Sequence, residues 1–281
     1  MREINTGQIT DAITRLFQDA CLYLPDDVTA AIKKAQAAEE SPVAVETIDR
    51  ILKNIEIARQ EHIPLCQDTG VAVVFLELGQ DLHITGGDLY TAVDAGVRQG
   101  YHKGYLRKSM VTHPYTTREN TADNTPAVIH TDIVPGDRLK IVVMPKGGGA
   151  ENMTRLKMLT PAEGRAGIID FAVKTVEESG SNPCPPVIIG VGIGGTAEKA
   201  VMLSKKALIR KVGTPNPDTE TADLEQDILN QVNKLGIGAM GYGGRITALA
   251  VHIEVFPSHI ASLPIAVNLQ CHSARHREAV I

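Results

Sequence analysis

The chain has 281 residues, of which 43% are hydrophobic, 22% charged and 4% aromatic, and its formal net charge is −5. The length allows one large domain or two small ones, and the negative charge argues against partners such as nucleic acid or an anionic membrane. The first ten residues lack an apolar signal-peptide core, and no apolar run approaches the roughly 20 residues of a membrane span. A cytoplasmic protein is therefore expected.

Hydrophobic periodicity predicts a mixed α/β fold with a helical beginning. Apolar residues at helical spacing, or Pro and Asp at helix starts, predict helices over 10–22, from residue 25, and over 41–61. We interpret 1–61 as a helical lobe and 62–281 as an α/β region of one catalytic domain, 1–281. Further along, apolar runs predict strands and the stretches between them predict helices: strands at 70–76, 139–144, 187–193, 246–256 and 263–269, and helices at 88–101, 161–178, 196–209 and 223–235.

The four cysteines are the first candidates for chemistry. They are separated by 45, 118 and 87 residues with no CxxC pair, which argues against ferredoxin-type clusters, zinc ribbons and thioredoxin-like pairs. From spacing alone, buried filler cysteines are an adequate interpretation, because free cysteine packs as a small hydrophobe. Cys21 fits that interpretation, since it lies on the apolar face of the first predicted helix.

The neighbours of the other three cysteines favour a ligand role. Cys66 is followed by Gln67 and Asp68 before a strand, and Cys271 follows the last predicted strand. Cys184 stands between prolines, which should hold it in rigid, extended geometry. Three cysteines on distant loops suit an iron–sulfur cluster with one open iron, because a fully coordinated cluster needs four thiolates.

Short motifs in fixed order resemble the α subunit, or N-terminal domain, of class I iron–sulfur fumarate hydratases and of L(+)-tartrate dehydratase. The motifs run from about residue 60 to the end of the chain: PLCQDTG (64–70), NTPA (124–127), VPGD (134–137), KGGGAEN (146–152), CPP (184–186), GVGIGG (190–195) and NLQCH (268–272). The resemblance implies a [4Fe–4S] cluster on Cys66, Cys184 and Cys271. It implies a lyase that interconverts fumarate and L-malate, a reaction of the tricarboxylic acid cycle.

The resemblance also implies substrate-binding residues and a partner. Gln67, Asp68, Arg107 and Gly149 would bind the substrate, and His259 would lie at the catalytic site with Asp68. A separate β subunit would complete the site, since the chain ends ten residues after Cys271. We expect an α2β2 heterotetramer built on an α–α homodimer, because most assemblies are symmetric.

Each of these residues also has a plain structural interpretation. Asp68 could cap a turn at Gly70, and Arg107 could belong to a solvated basic patch with Lys103 and Lys108. The run 147–149 could be an ordinary strand-to-helix turn, and His259 a hydrogen-bonded core histidine. His272 and His276 are weaker candidates, and a C-terminal basic tail explains Arg275, His276 and Arg277.

Two other functions compete with fumarate hydration. L(+)-tartrate dehydratase is the nearer alternative, since the two substrates differ by one hydroxyl. The more distant one is a dinucleotide-binding oxidoreductase, because Gly190-x-Gly192-x-x-Gly195 follows an apolar strand and precedes a helix. Against it, Arg210 stands where an acidic residue is expected. A scaffold that only binds the β partner would not need Cys66, Asp68 and Arg107 together.

Overall fold

The computed structural model describes residues 2–281. Ten strands and eight α-helices follow one another along these residues, and 3₁₀ turns lie at Pro161–Glu163 and Ala239–Gly241. The elements are β1 (Arg2–Asn5), α1 (Thr6–Leu22), α2 (Asp26–Ala38), α3 (Pro42–Glu61), β2 (Val71–Gly79), β3 (Leu82–Thr85), α4 (Leu89–Lys103), β4 (Val128–Val134), β5 (Leu139–Lys146), α5 (Gly148–Glu151), β6 (Arg155–Leu159), α6 (Gly164–Ser179), β7 (Val187–Gly194), α7 (Ala197–Ala207), α8 (Thr219–Val232), β8 (Ala248–Phe256), β9 (Leu263–Gln270) and β10 (Arg277–Val280). The predicted mixed α/β class is confirmed.

The chain divides into two compact units. Unit 1 comprises the chain up to Leu24, Ile55–Gly148 and Arg275–Ile281, and unit 2 comprises Pro25–Asn54 and Gly149–Ala274. The three helices predicted in the first sixty residues are present, with α1 in unit 1 and α2 in unit 2, and the interpretation of 1–61 as a helical lobe stays a prediction. The interpretation of 1–281 as one catalytic domain stays a prediction.

Unit 1 is built on a four-stranded sheet in the order β10-β5-β2-β4. Strand β2 pairs antiparallel with β5 and parallel with β4. Helix α1 begins with a capping box, in which the Gly7 N–H donates to Asn5 and the Asn5 N–H donates to Gln8. Its buried side chains Ile13 and Phe17 join the unit's core. Unit 1 therefore gathers the apolar face of α1 onto one side of the sheet.

Unit 2 is built on a second sheet, in the order β6-β9-β7-β8. Its central strand β7 is buried along its whole length, pairs parallel with β8 and pairs antiparallel with β9. Alternate residues of a strand face opposite sides. Val187, Ile189 and Val191 therefore share a core with residues of α6 and α8, while Gly190 and Gly192 lie against α7.

The strands that the sequence did not predict are β1, β3, β4, β6 and β10. They are mostly short and exposed; four of the five residues of β6, for example, are exposed. Such strands carry little apolar signal because their side chains remain in water. All five strands predicted from apolar runs are present. Among residues 2–281, no helix has both the length and the apolar character that a membrane-crossing segment requires.

Candidate active site

Two of the predicted ligand cysteines lie together at one end of the sheet of unit 2. Ile188 near the start of β7 pairs with Gln270 at the end of β9. Cys184 precedes β7 by three residues and Cys271 directly follows β9, so antiparallel pairing brings both to the same edge. The His272 side chain links the two cysteine segments, since its Nδ1 lies 2.9 Å from the Cys184 carbonyl oxygen. Cys184 and Cys271 are called the cysteine pair below.

The backbone at Cys184 differs from the sequence prediction. Its φ is +54°, in the left-handed region, and not the extended geometry expected before a proline. The Cys184 N–H donates to the Ser181 carbonyl at 3.0 Å, so a tight turn overrides the local preference. Holding a non-glycine residue in this region costs on the order of 1–3 kcal/mol, and such strain is common at functional sites.

The third predicted ligand, Cys66, lies in unit 1 on a loop that other residues hold in place. The Leu65 N–H donates to the Cys21 carbonyl at 2.9 Å. The buried Tyr101 hydroxyl donates to the Thr69 carbonyl at 2.7 Å, and the Cys66 thiol donates to Gln67 Oε1 at 3.4 Å. Cys66 is therefore half-buried on a braced loop between α3 and β2.

Asp68 is held by backbone donors on both oxygens. The Gly70 N–H donates to Oδ1 at 3.1 Å, and the Gly148 N–H donates to Oδ2 at 2.7 Å. Asp68 therefore does make the turn-capping bond that was its plain structural interpretation. A carboxylate offers about four lone-pair positions, so two backbone bonds fix its orientation and leave room for a substrate.

The glycine-rich turn, residues 147–149, is needed for close approach. A Cβ on Gly147 would lie 3.2 Å from Asp68 Oδ2, and one on Gly149 would lie 2.9 Å from the Asn182 carbonyl oxygen. Asn182 precedes Cys184 by two residues, so Gly149 lies against the loop of that cysteine. Within unit 2, the structure brings Gly149 to the loop that carries Cys184.

Arg107 and Gln67 present their side chains to solvent. The Arg107 carbonyl accepts a hydrogen bond from the Thr69 hydroxyl at 2.6 Å, which fixes its backbone next to Asp68 and its neighbours. The buried Asn124 braces the same region, since it donates to the Gly70 carbonyl and accepts from the Ser109 N–H. Asn124 belongs to a motif that the sequence singled out without a role.

The side chains of Cys21 and Arg275, both in unit 1, are fully buried. Cys21 is buried as predicted, and burial raises its pKa from 9.0 to about 11, which keeps it a protonated thiol. Arg275 is not part of a solvated basic tail, as the sequence suggested, because only 1% of it is exposed. A charge run near a chain end is usually solvated, so the sequence carried no signal for this burial.

His259 lies elsewhere in unit 2. It follows the end of β8, where Phe256 pairs with Gly194 at the far end of β7. An eight-residue strand spans about 25 Å, so the length of the sheet separates His259 from the cysteine pair. It is exposed, and its Nδ1 accepts from the Ala261 N–H at 3.1 Å, so the core-histidine interpretation is wrong, and its place at the catalytic site stays a prediction.

The run 190–195 does not form a dinucleotide-binding turn. Gly190 and Gly192 lie inside β7, where a Cβ would meet the backbone of α7 at 2.1 and 2.0 Å. Their missing side chains let α7 pack directly on the strand. The glycines of a pyrophosphate-binding loop instead lie between a strand and a helix. The position of the first two glycines of the run therefore argues against the oxidoreductase alternative.

Comparisons with known proteins identify the family of the chain. The family model described as Fumarate hydratase (Fumerase) matches residues 10–280. A Methanocaldococcus jannaschii protein named "Putative L(+)-tartrate dehydratase subunit alpha" is 42% identical over 273 residues, 95% of each chain. The L(+)-tartrate dehydratase subunit alpha of Escherichia coli strain UTI89 is 32% identical over 98% of this chain and 92% of its own. The chain belongs to the Fumerase family.

Proposed function

We propose that this chain is the α subunit of a hydro-lyase that interconverts fumarate and L-malate with a [4Fe–4S] cluster. The observation that carries the proposal is the cysteine pair, which antiparallel pairing of β7 and β9 brings to one edge of a sheet. Membership of the Fumerase family supports the reaction class. Cys66, on its braced loop in unit 1, is proposed as the third ligand.

The chemistry of the donor set suits such a cluster. Within residues 2–281, the structure has no group of three His, Cys, Asp or Glu side chains placed around a single ion position. Cys66, Cys184 and Cys271 are half-buried thiols on loops, and no disulfide joins them. Cysteine thiolates are the protein ligands that hold four-iron clusters. When bound, a cluster with one iron free of cysteine would supply a Lewis acid for the substrate hydroxyl and carboxylate.

Asp68 is proposed as the general base and acid. In dehydration, one of its oxygens takes the proton from the methylene carbon next to the hydroxyl-bearing carbon. The C–O bond then breaks, the departing hydroxide takes a proton from solvent to leave as water, and Asp68 releases its own proton to solvent. In hydration Asp68 delivers a proton to that carbon. The N–H groups of Gly70 and Gly148 fix the carboxylate plane before the substrate arrives, so little reorganisation accompanies the transfer.

Substrate binding is assigned to Arg107, Gln67 and Gly149. A guanidinium pairs with a carboxylate through two parallel N–H donors, and the exposed Arg107 has its backbone fixed by Thr69. Gln67 adjoins both Cys66 and Asp68 in the chain. Backbone N–H groups of the glycine-rich turn can approach an anion because no Cβ obstructs them. The role of His259 stays a prediction and forms no part of this mechanism.

A β subunit is proposed to complete the site. The relatives carry the name "subunit alpha", which implies a partner chain in those proteins. We propose an α2β2 assembly with an α–α homodimer. The partner would hold the second substrate carboxylate and exclude water from the reacting carbons.

L(+)-tartrate is the second candidate substrate, because the relatives are named as tartrate dehydratases. Loss of water from tartrate requires the same proton removal and the same departure of hydroxide. The groups assigned above are proposed to bind one substrate carboxylate, and none of them is assigned to the additional hydroxyl. Fumarate and L-malate remain the first choice, and the partner subunit is the expected source of discrimination.

The decisive experiment is anaerobic co-purification of the chain with its β partner, followed by assays on fumarate, L-malate and L-tartrate. Cys66→Ser, Cys184→Ser and Cys271→Ser should each lose most of the bound iron and the iron–sulfur absorbance, and Cys21→Ser should retain both. Faster turnover of tartrate than of malate would replace the first candidate by the second. A Cys184→Ser variant with a full cluster would refute the ligand set.

A further inference from the structure

The glycine-rich turn lacks the means to hold itself in place. It opens α5, a single turn of helix of four residues, Gly148–Glu151. One isolated turn is unstable because helix nucleation is costly, and glycine adds backbone entropy to that cost. Yet this segment lies against Asn182 at two points, through Gly149 and through Met153, whose sulfur accepts from Asn182 Nδ2 at 3.9 Å.

The Glu151 side chain makes the contacts that connect α5 to the rest of unit 2. One of its carboxylate oxygens lies 2.5 Å from Lys205 Nζ on α7, and the other accepts from Asn268 Nδ2 on β9 at 3.1 Å. The same Asn268 nitrogen also donates to the Thr154 hydroxyl at 2.8 Å. A single side chain thus ties α5 to a helix and to the strand that ends at Cys271.

Because these bonds are largely buried, the loss of one partner would disturb the surrounding structure. Asn268 is fully buried, and in the ion pair the Lys205 side chain is 12% exposed and the Glu151 side chain 35% exposed. Removing Glu151 leaves the largely buried Lys205 ammonium without this partner, and the surrounding structure must then rearrange to hydrate it. Because Asn268 precedes Cys271 by three residues and Gly149 contacts the Cys184 loop, such a rearrangement would reach both members of the cysteine pair.

We infer that Glu151 is a positioning residue, which fixes the glycine-rich turn against the Cys184 loop and ties it to β9. The inference deepens the proposed function and rests on it, since the cysteine pair is assigned there to the cluster. Glu151 touches neither substrate nor cluster in this role. It acts through Lys205 and Asn268.

The test is hydrogen–deuterium exchange, read by mass spectrometry, on the full-length cluster-free chain carrying Glu151→Gln. Segments 147–154 and 181–184 should exchange about tenfold faster than in the wild type, because local opening no longer breaks an ion pair. Lys205→Met should have the same effect. The double variant should be no worse than either single change, because it leaves no buried charge alone. The matched control is Glu178→Gln, which removes an exposed ion pair with Lys174 in the same unit.

The second measurement is iron retained per chain after anaerobic reconstitution, which should fall about threefold or more in Glu151→Gln. Unchanged exchange in the two segments, or faster exchange spread evenly over unit 2, would overturn the inference and leave the proposed function intact. If wild type and variants alike held no iron, while Glu151→Gln still loosened the two segments, the proposed function would fail and the positioning role of Glu151 would be supported.

Discussion

Two glycine-rich segments of similar appearance have opposite uses in this protein. Residues 147–149 lie at a turn, where the Gly148 N–H binds the Asp68 carboxylate and Gly149 admits the Asn182 carbonyl. In the run 190–195, Gly190 and Gly192 lie inside a buried strand, and the backbone of helix α7 packs directly against them. The first segment uses the absence of a Cβ to approach polar groups, and the second uses it to pack.

A comparison of two carboxylates sharpens this difference. Asp68 accepts two backbone N–H groups and is half-buried, so part of its acceptor capacity remains for a substrate. Glu39 of unit 2 is 9% exposed and accepts from the N–H groups of Glu40, Ser41, Arg245 and Ile246. Backbone N–H groups occupy the acceptor positions of both Glu39 carboxylate oxygens. Glu39 therefore holds two chain segments together and has no acceptor position left for a substrate.

The largest expected effect is that of Gly192→Val. A Cβ there would lie 2.0 Å from the Ala200 carbonyl oxygen, so α7 must move away from β7. We expect a loss of about 3 kcal/mol or more in the free energy of unfolding, at the upper end for overpacking, measured by urea denaturation. Gly213→Asn, in open space at a φ of +87° that asparagine tolerates, is the control. Wild-type stability of Gly192→Val would mean that α7 does not pack as described.

Asp68→Asn should reduce turnover by at least about 100-fold, the lower end for loss of a general acid–base group. The amide keeps one acceptor for the backbone donors, so iron content should stay near the wild-type value. Steady-state kinetics on the anaerobic complex with the β partner measures the effect. Asp170→Asn, an exposed acid on α6, serves as the control. Unchanged turnover in Asp68→Asn would leave Asp68 with only its turn-capping role.

Neighbouring glycines give the most closely matched comparison. A Cβ on Gly149 would lie 2.9 Å from the Asn182 carbonyl oxygen, while one on Gly148 would come no nearer than 3.8 Å to Asp68 Oδ2. Gly149→Ala should therefore displace the Cys184 loop and lower iron retention about threefold to tenfold, and Gly148→Ala should retain it. Equal iron content in the two variants would show that the close approach at Gly149 is not needed.

The smallest effect is expected for Glu39→Gln. Burial alone raises the pKa of this carboxyl, but the N–H groups of Arg245, Ser41, Ile246 and Glu40 hold it below the ordinary 4.5. The carboxylate therefore stabilises the fold above about pH 4.5, and this stabilisation disappears as the pH falls through the lowered value.

At pH 7, Glu39→Gln should lose about 1–2 kcal/mol in the free energy of unfolding, because a hydrogen-bonded charge becomes a neutral amide. Urea midpoints measured from pH 7 to pH 3 should show the two proteins converging in acid. Glu178→Gln provides the exposed-acid control for the same pH series. A difference that stayed constant down to pH 3 would contradict the lowered pKa.

Much of the fold could be predicted because burial leaves periodic apolar patterns. Strands β2, β5, β7, β8 and β9 all appear as apolar runs, and the helices were located to within a few residues. The exposed strands β4 and β6 left no such pattern. Partition of the three N-terminal helices between two units also escaped prediction, since an apolar helix face does not specify which core it joins.

The candidate site was only partly predictable for the same reason. The residues around Cys66, Asp68, Cys184 and Cys271 stood out by their order and types, and that information is local. The contact of His272 with Cys184, the burial of Arg275 and the link from Glu151 to Lys205 join residues far apart in the sequence. No local pattern encodes such contacts, because they depend on which strands pair and in which direction.

The sequence by itself determined the mixed α/β class and the buried strands, because residue type and periodicity carry these directly. It also indicated the candidate cysteine ligands, through the residues next to each cysteine and the family resemblance of those motifs. Only the tertiary structure decided that the run 190–195 is a packing surface and that the cysteine pair shares one sheet edge. It also decided that His259 lies at the other end of that sheet. Glycine permits both close packing and anion binding, so the role of a glycine depends on which distant segment lies against it. Long-range pairing fixes the neighbours of a strand, so the position of a residue at a strand end depends on that pairing.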